Sequence, residues 1–120
     1  MEDFEKIYID DVFVIAVNLV RSTINEAFEF RKILEDEISF GHTRLVIDLS
    51  NCGQIDSTFF GAIIWALGLI ADKGHKLKII KPTISGDDIF TSTNTLSLFD
   101  FYKTRDEAIK SFDGDIQPES

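Results

Sequence analysis

Apolar and polar positions along the 120-residue chain switch between two periods. The run Val12-Phe13-Val14-Ile15-Ala16-Val17 is continuously apolar, the pattern of a strand covered on both faces. It sits in a predicted strand over 12–20, with a shorter β-rich run over 7–10 before it. Asp10-Asp11 lies between the two and predicts a hairpin. Thr23 and Glu26 then have capping-box spacing, which opens a helix. Ala27, Phe30, Leu34 and Ile38 follow at steps of three and four and predict its buried stripe. Gly41 is the expected stop.

The second half repeats the alternation. A strand is expected over 44–49, then a loop from Ser50 to Gln54, then a helix over 58–73 halted by Gly74. Residues 76–81 read as a strand closed by Pro82. Ser85-Gly86-Asp87-Asp88 predicts a helix start, because acids there face the positive end of the helix dipole; that helix is expected to run to about Leu96. A short strand is expected over 99–102. Thr104 and Glu107 repeat the capping-box spacing and open a last helix to about Phe112. Strands alternating with helices imply an α/β fold: one largely parallel, mixed central sheet of four to five strands, flanked by about four helices.

Composition fits a single domain over 1–112, followed by an acidic tail over 113–120 that is expected to be disordered. The net charge of −9 is concentrated at the ends: residues 1–11 carry −4 and residues 113–120 carry −3. An acidic chain with no basic stripe predicts no nucleic-acid partner and no attraction to anionic membranes. The longest near-apolar run, 59–71, spans 13 residues, too few to cross a bilayer. Glu2, Asp3 and Glu5 stand where a signal peptide needs basic residues, and the lone Cys52 suits a reducing compartment, so a cytoplasmic location is expected.

Candidate chemistry is sparse. His42 and His75 each fall in a predicted turn without evident partners, and read as solvated loop residues. Cys52 lacks a second cysteine and an evident base, and reads as a small half-buried residue. The glycines do not form a phosphate-binding pattern. Asp48 and Asp56 are near enough in sequence to approach one another, but no histidine or lysine is placed to complete an acid–base site, so no enzyme, metal or cofactor is expected.

Asp56-Ser57-Thr58 is the exception, at the mouth of a very apolar helix. Either Asp56 or Ser57 can cap that helix, which alone explains both. A hydroxyl at a helix start is also within reach of a protein kinase, and the helix amides and dipole can accept the added anion. The following residues, Phe59 to Ile70, are apolar over more than one face, so the helix is either deeply buried or partly a docking surface. Gly61 and Gly68 lie on one face and permit close approach of another backbone.

The segment Arg44-Leu45-Val46-Ile47-Asp48-Leu49-Ser50, followed by Ile55-Asp56-Ser57-Thr58-Phe59-Phe60-Gly61, resembles the signature of STAS domains, the family of bacterial anti-sigma factor antagonists. The similarity extends to Leu96–Tyr102 and Thr104–Ala108, which resemble the family's closing helix–strand–helix. The resemblance implies a partner switch. Its unphosphorylated form binds an anti-sigma serine kinase, phosphorylation of the hydroxyl residue after the motif aspartate releases it, and a phosphatase reverses the mark. Carried over, Ser57 is the acceptor, Thr58 the fallback, and Asp56, Ser57, Thr58, Phe59, Phe60 and Gly61 form the partner-binding segment. Phe59 and Phe60 replace the family's glycine and leucine, and their bulk is expected to alter the surface a partner meets; Arg21 stands where many relatives carry an acid. The rival reading is a STAS-like scaffold subunit of a regulatory or transporter-associated assembly that is never phosphorylated.

Overall fold

A computed structural model describes residues 2–19, 21–22, 24–82 and 89–113. Seven strands and four helices are assigned among them. They are β1 (Phe4–Ile9), β2 (Val12–Val17), β3 (Arg21–Ser22), α1 (Ile24–Ser39), β4 (Leu45–Asp48), β5 (Gln54–Ile55), α2 (Ser57–Asp72), β6 (Lys78–Ile80), α3 (Ile89–Ser92), β7 (Asp100–Tyr102) and α4 (Arg105–Ser111). The main sheet has the order β1-β2-β4-β6-β7. β1 and β2 form the expected antiparallel hairpin, with Tyr8 opposite Phe13, and the other pairings are parallel. The sheet is therefore mixed and largely parallel, as expected.

From β2 to β7 the strand order advances in one direction. Crossovers of one hand then place α1, α2 and α3 on the same face. The side-chain clusters agree. Phe13, Ile15, Val17, Ile47, Ile79 and Phe101 pack with residues of those three helices. Val12, Val14, Val46, Ile80 and Tyr102 point the other way, onto Ala108 of α4. All six residues of β2 are buried, which is why its sequence shows no alternation. The predicted stripe of α1 faces the sheet: Ala27, Phe30, Leu34 and Ile38 are all buried.

Both long helices end as their glycines suggest. Gly41 and Gly74 have φ of +94° and +82°. Their N–H groups donate to Ile38 O and Ala71 O, and those of His42 and His75 donate to Glu37 O and Ile70 O. These are the two bonds of a Schellman turn. Asn94, with φ of 60°, closes α3 in the same way, with its N–H on Thr91 O and that of Thr95 on Phe90 O.

That closure corrects one expectation. The helix expected to reach Leu96 stops at Ser92, and Leu96–Leu98 form a separate 3₁₀ turn. Asn94 accepts a left-handed backbone readily, so the chain turns there. The Ser85-Gly86-Asp87-Asp88 helix start, the Thr23 cap and the tail beyond Asp113 lie outside the described residues. The strands β3 and β5, two residues each and paired in parallel, were not anticipated.

Candidate functional site

At the carboxyl ends of the parallel strands the chain leaves β4 and turns toward α2. Asp48 accepts the Ser50 N–H at 2.9 Å. Cys52 N–H donates to Leu49 O at 3.0 Å, and Gly53 N–H to Leu19 O at 2.7 Å. Cys52 is fully buried, more deeply than expected. The pairing of β5 with β3 then ties this loop to the segment entering α1. Asn51 reaches across to Asn18 at 3.4 Å. Several backbone and side-chain bonds thus hold the stretch that delivers Asp56.

Asp56 is the N-cap of α2. Its backbone is extended, with φ −83° and ψ 173°, and its carboxylate accepts the Phe59 N–H at 2.8 Å. This resolves the choice between Asp56 and Ser57 as cap. Ser57 is consequently the first helical residue and Thr58 the second. Both are exposed, as is Asp56. The N–H groups of the first two helical residues have no intrahelical acceptor and carry the positive end of the helix dipole, so an anion on Ser57 meets a favourable local field.

The motif's two phenylalanines go inward. Phe59 is fully buried and Phe60 is 8% exposed. The Phe59 ring lies 4.8 Å from Phe30 and 6.3 Å from Phe4, while Phe60 meets Phe90 edge-on at 5.3 Å. The expectation that their bulk reshapes the partner surface is corrected: it fills the space between α2 and the sheet. Burying each ring contributes about 1.5–3 kcal/mol. The motif segment therefore divides by helical phase. Asp56, Ser57, Thr58 and Gly61 face solvent, and Phe59 and Phe60 anchor the helix.

Beyond Gly61, the outward strip of α2 continues through half-buried Ile64 and Trp65 to exposed Gly68. A side chain added at Gly61 or Gly68 would meet nothing within 4 Å, so no neighbour among the described residues uses the space beside them. Arg31 of α1 stacks over Trp65 at 4.7 Å, and Phe28 of α1 is 70% exposed. The apolar helix buries one face deeply and leaves a semi-apolar strip running away from Ser57.

Asp48 and Asp56 are not brought together. Asp48 shares the sheet face of Val46, toward α4, and its carboxylate meets Arg105 Nε at 2.5 Å. Asp56 belongs to the helix on the opposite face. His42 also departs from expectation: its ring is partly covered, 5.6 Å from Tyr8, with Nδ1 3.5 Å from Glu37. The Schellman turn produces this contact by setting the residue after Gly41 beside Glu37. Gly41 carried the signal, but the paired side chains are polar where such turns usually join apolar ones. Among the described residues, no group of three or more His, Cys, Asp or Glu side chains is arranged to hold a metal ion. No described helix is long and apolar enough to cross a membrane.

Comparison with known proteins agrees with this geometry. The family model for the STAS domain matches residues 9–108. A crystal structure from Thermotoga maritima, described as that of an anti-sigma factor antagonist, superposes with a TM-score of 0.82 at 27% identity, over 90% of this chain and 92% of that one. The unphosphorylated anti-sigma factor antagonist SpoIIAA superposes with a TM-score of 0.71 at 14% identity, over 92% and 98% of the two chains. The phosphorylated form of SpoIIAA, described as a Bacillus cell fate determinant, also gives 0.71 at 14%, over 91% and 98%. No curated protein matches the sequence significantly.

Proposed function

The chain belongs to the STAS domain family, and from that premise we propose that it is a partner-switching antagonist of an anti-sigma factor, controlled by phosphorylation of Ser57. One observation carries the reading. The motif hydroxyl is exposed at the first position of α2, directly after an aspartate whose carboxylate is committed to the helix cap. In this reading the unmodified Ser57 edge and the outward strip of α2 dock on an anti-sigma serine kinase, and a phosphatase restores the unmodified form. Thr58 is the second available hydroxyl.

The switch needs no refolding. A phosphate adds about −1.5 to −2 charges. In free solution the helix dipole and water accommodate them. Within a partly desolvated contact, one further pair of like charges at about 4 Å costs on the order of 4 kcal/mol at an effective dielectric near 20. Half of that lowers affinity more than about tenfold.

Incubation with an anti-sigma serine kinase and ATP, followed by peptide mass spectrometry, tests the assignment. The expected product carries one phosphate on Ser57, and Ser57→Ala abolishes it. A mark on Thr58 alone would move the acceptor by one residue. No mark on either hydroxyl, with full biological activity in Ser57→Ala, would leave the scaffold reading.

A further inference from the structure

The end of the domain opposite Ser57 carries a feature that the switch does not use. There β2 and β4 enter the sheet beside the β1–β2 turn. A recess of about 220 Å3 opens there between β1, the β1–β2 turn, the start of β2 and the loop after α1, lined by Tyr8, Asp10, Asp11, Val12, Phe13 and His42. Its walls are aromatic. The Tyr8 and Phe13 rings lie 5.2 Å apart, and the His42 ring lies 5.6 Å from Tyr8 and 6.4 Å from Phe13. Phe13 is buried and forms the floor, whereas Tyr8 is 54% exposed.

One of these rings is held from below by a hydrogen bond: the Tyr8 hydroxyl donates to the buried carboxylate of Glu37, and His42 Nδ1 lies 3.5 Å from the same carboxylate. The rim is acidic. Asp11 meets Arg44 at 3.4 Å, but no cation pairs with Asp10 among the described residues. The surrounding segment 1–11 has a net charge of −4. Aromatic faces present negative charge, and with a carboxylate rim they favour a cation. The recess is smaller than the roughly 300–1,000 Å3 of sites that enclose a whole small-molecule ligand. It matches a single side chain better.

We infer that this recess docks an arginine or lysine side chain from a basic segment of a partner protein. Arginine is favoured, because its planar guanidinium stacks on an aromatic ring while donating to carboxylates. The six residues of β2 separate this end from the Ser57 edge by about 20 Å. Both surfaces can be occupied at once, so this contact is independent of the switch.

The test is an amide NMR titration of the full chain with N-acetyl-arginine-N-methylamide. The isosteric, uncharged citrulline analogue is the control. Saturable shifts are expected at Tyr8, Phe13 and His42 with the arginine probe, and none with citrulline. Asp10→Asn/Asp11→Asn should weaken binding about tenfold, and asparagine is well tolerated at the positive φ of 54° at position 10. Ser57→Asp should leave binding unchanged, which separates this site from the switch. No saturable shift, an equal response to citrulline, or shifts centred elsewhere would overturn the inference.

Discussion

Asp56→Ala tests the frame that presents Ser57. The substitution removes the acceptor of the Phe59 N–H, a bond of 2.8 Å. Loss of an N-cap of this type costs about 0.5–2 kcal/mol, and loss of the charge near the helix dipole adds about 0.3–1 kcal/mol at an exposed site. A combined loss near 1.5 kcal/mol is expected. For 120 residues, an unfolding entropy of about 2.1 cal/mol/K per residue converts this to a fall in Tm of roughly 6 °C. Asp56→Asn is the discriminating control. Asparagine caps as well as aspartate but carries no charge, so it should lose only about 0.3–1 kcal/mol. Urea unfolding of the three proteins reads both values. Equal losses for alanine and asparagine would refute the cap and leave a charge–dipole effect alone. No loss for either would mean that Ser57 is positioned by something other than Asp56.

Glycine substitutions should change stability in opposite directions. Gly41→Ala places a side chain at φ +94° and should cost about 1–2 kcal/mol, whereas Gly68→Ala, in open space on a helix, should gain about 0.5–1 kcal/mol. Arg105→Met strips a cation from Asp48, which is 3% exposed; the loss should be about 1–3 kcal/mol, below that of a fully buried pair because Arg105 is half-exposed, and Asp48→Asn should recover part of it. The hydrogen bond to Glu37, then burial, push the Tyr8 hydroxyl up to about 12 from its ordinary 10. Because the folded value is the higher one, its stabilisation is complete below pH 10 and is lost as pH rises through about 12. A near-ultraviolet titration should show Glu37→Gln bringing the Tyr8 transition down, and Tyr8→Phe should lack this part of the alkaline stability loss.

Much of the architecture was legible because its signals are local and repeated. The uninterrupted apolar run of β2 reported burial on both faces, and the α1 stripe reported the face turned to the sheet. Gly41, Gly74 and the Thr104–Glu107 box marked real helix ends, the last with Glu107 N–H on the Thr104 hydroxyl at 3.2 Å. Most of what escaped depends on contacts distant in sequence, and the rest on one local turn. β3 and β5 are too short to show a period, and each exists because the other lies alongside. The early stop of α3 follows from one left-handed asparagine. At the candidate site, the sequence located the motif but not its phase. Only the packing against Phe4, Phe30 and Phe90 shows that Phe59 and Phe60 face inward while Ser57 and Thr58 face solvent. His42 looked solitary because Glu37 and Tyr8 reach it through a helix end and a neighbouring strand.

The most direct measurement compares the affinity of an anti-sigma serine kinase for the unmodified chain and for the chain carrying phosphate on Ser57, by calorimetry at one ionic strength. The account predicts binding by the unmodified protein and at least about tenfold weaker binding by the phosphorylated one, with both forms showing the same circular dichroism. Equal affinities would contradict it, as would a loss of binding accompanied by loss of the fold.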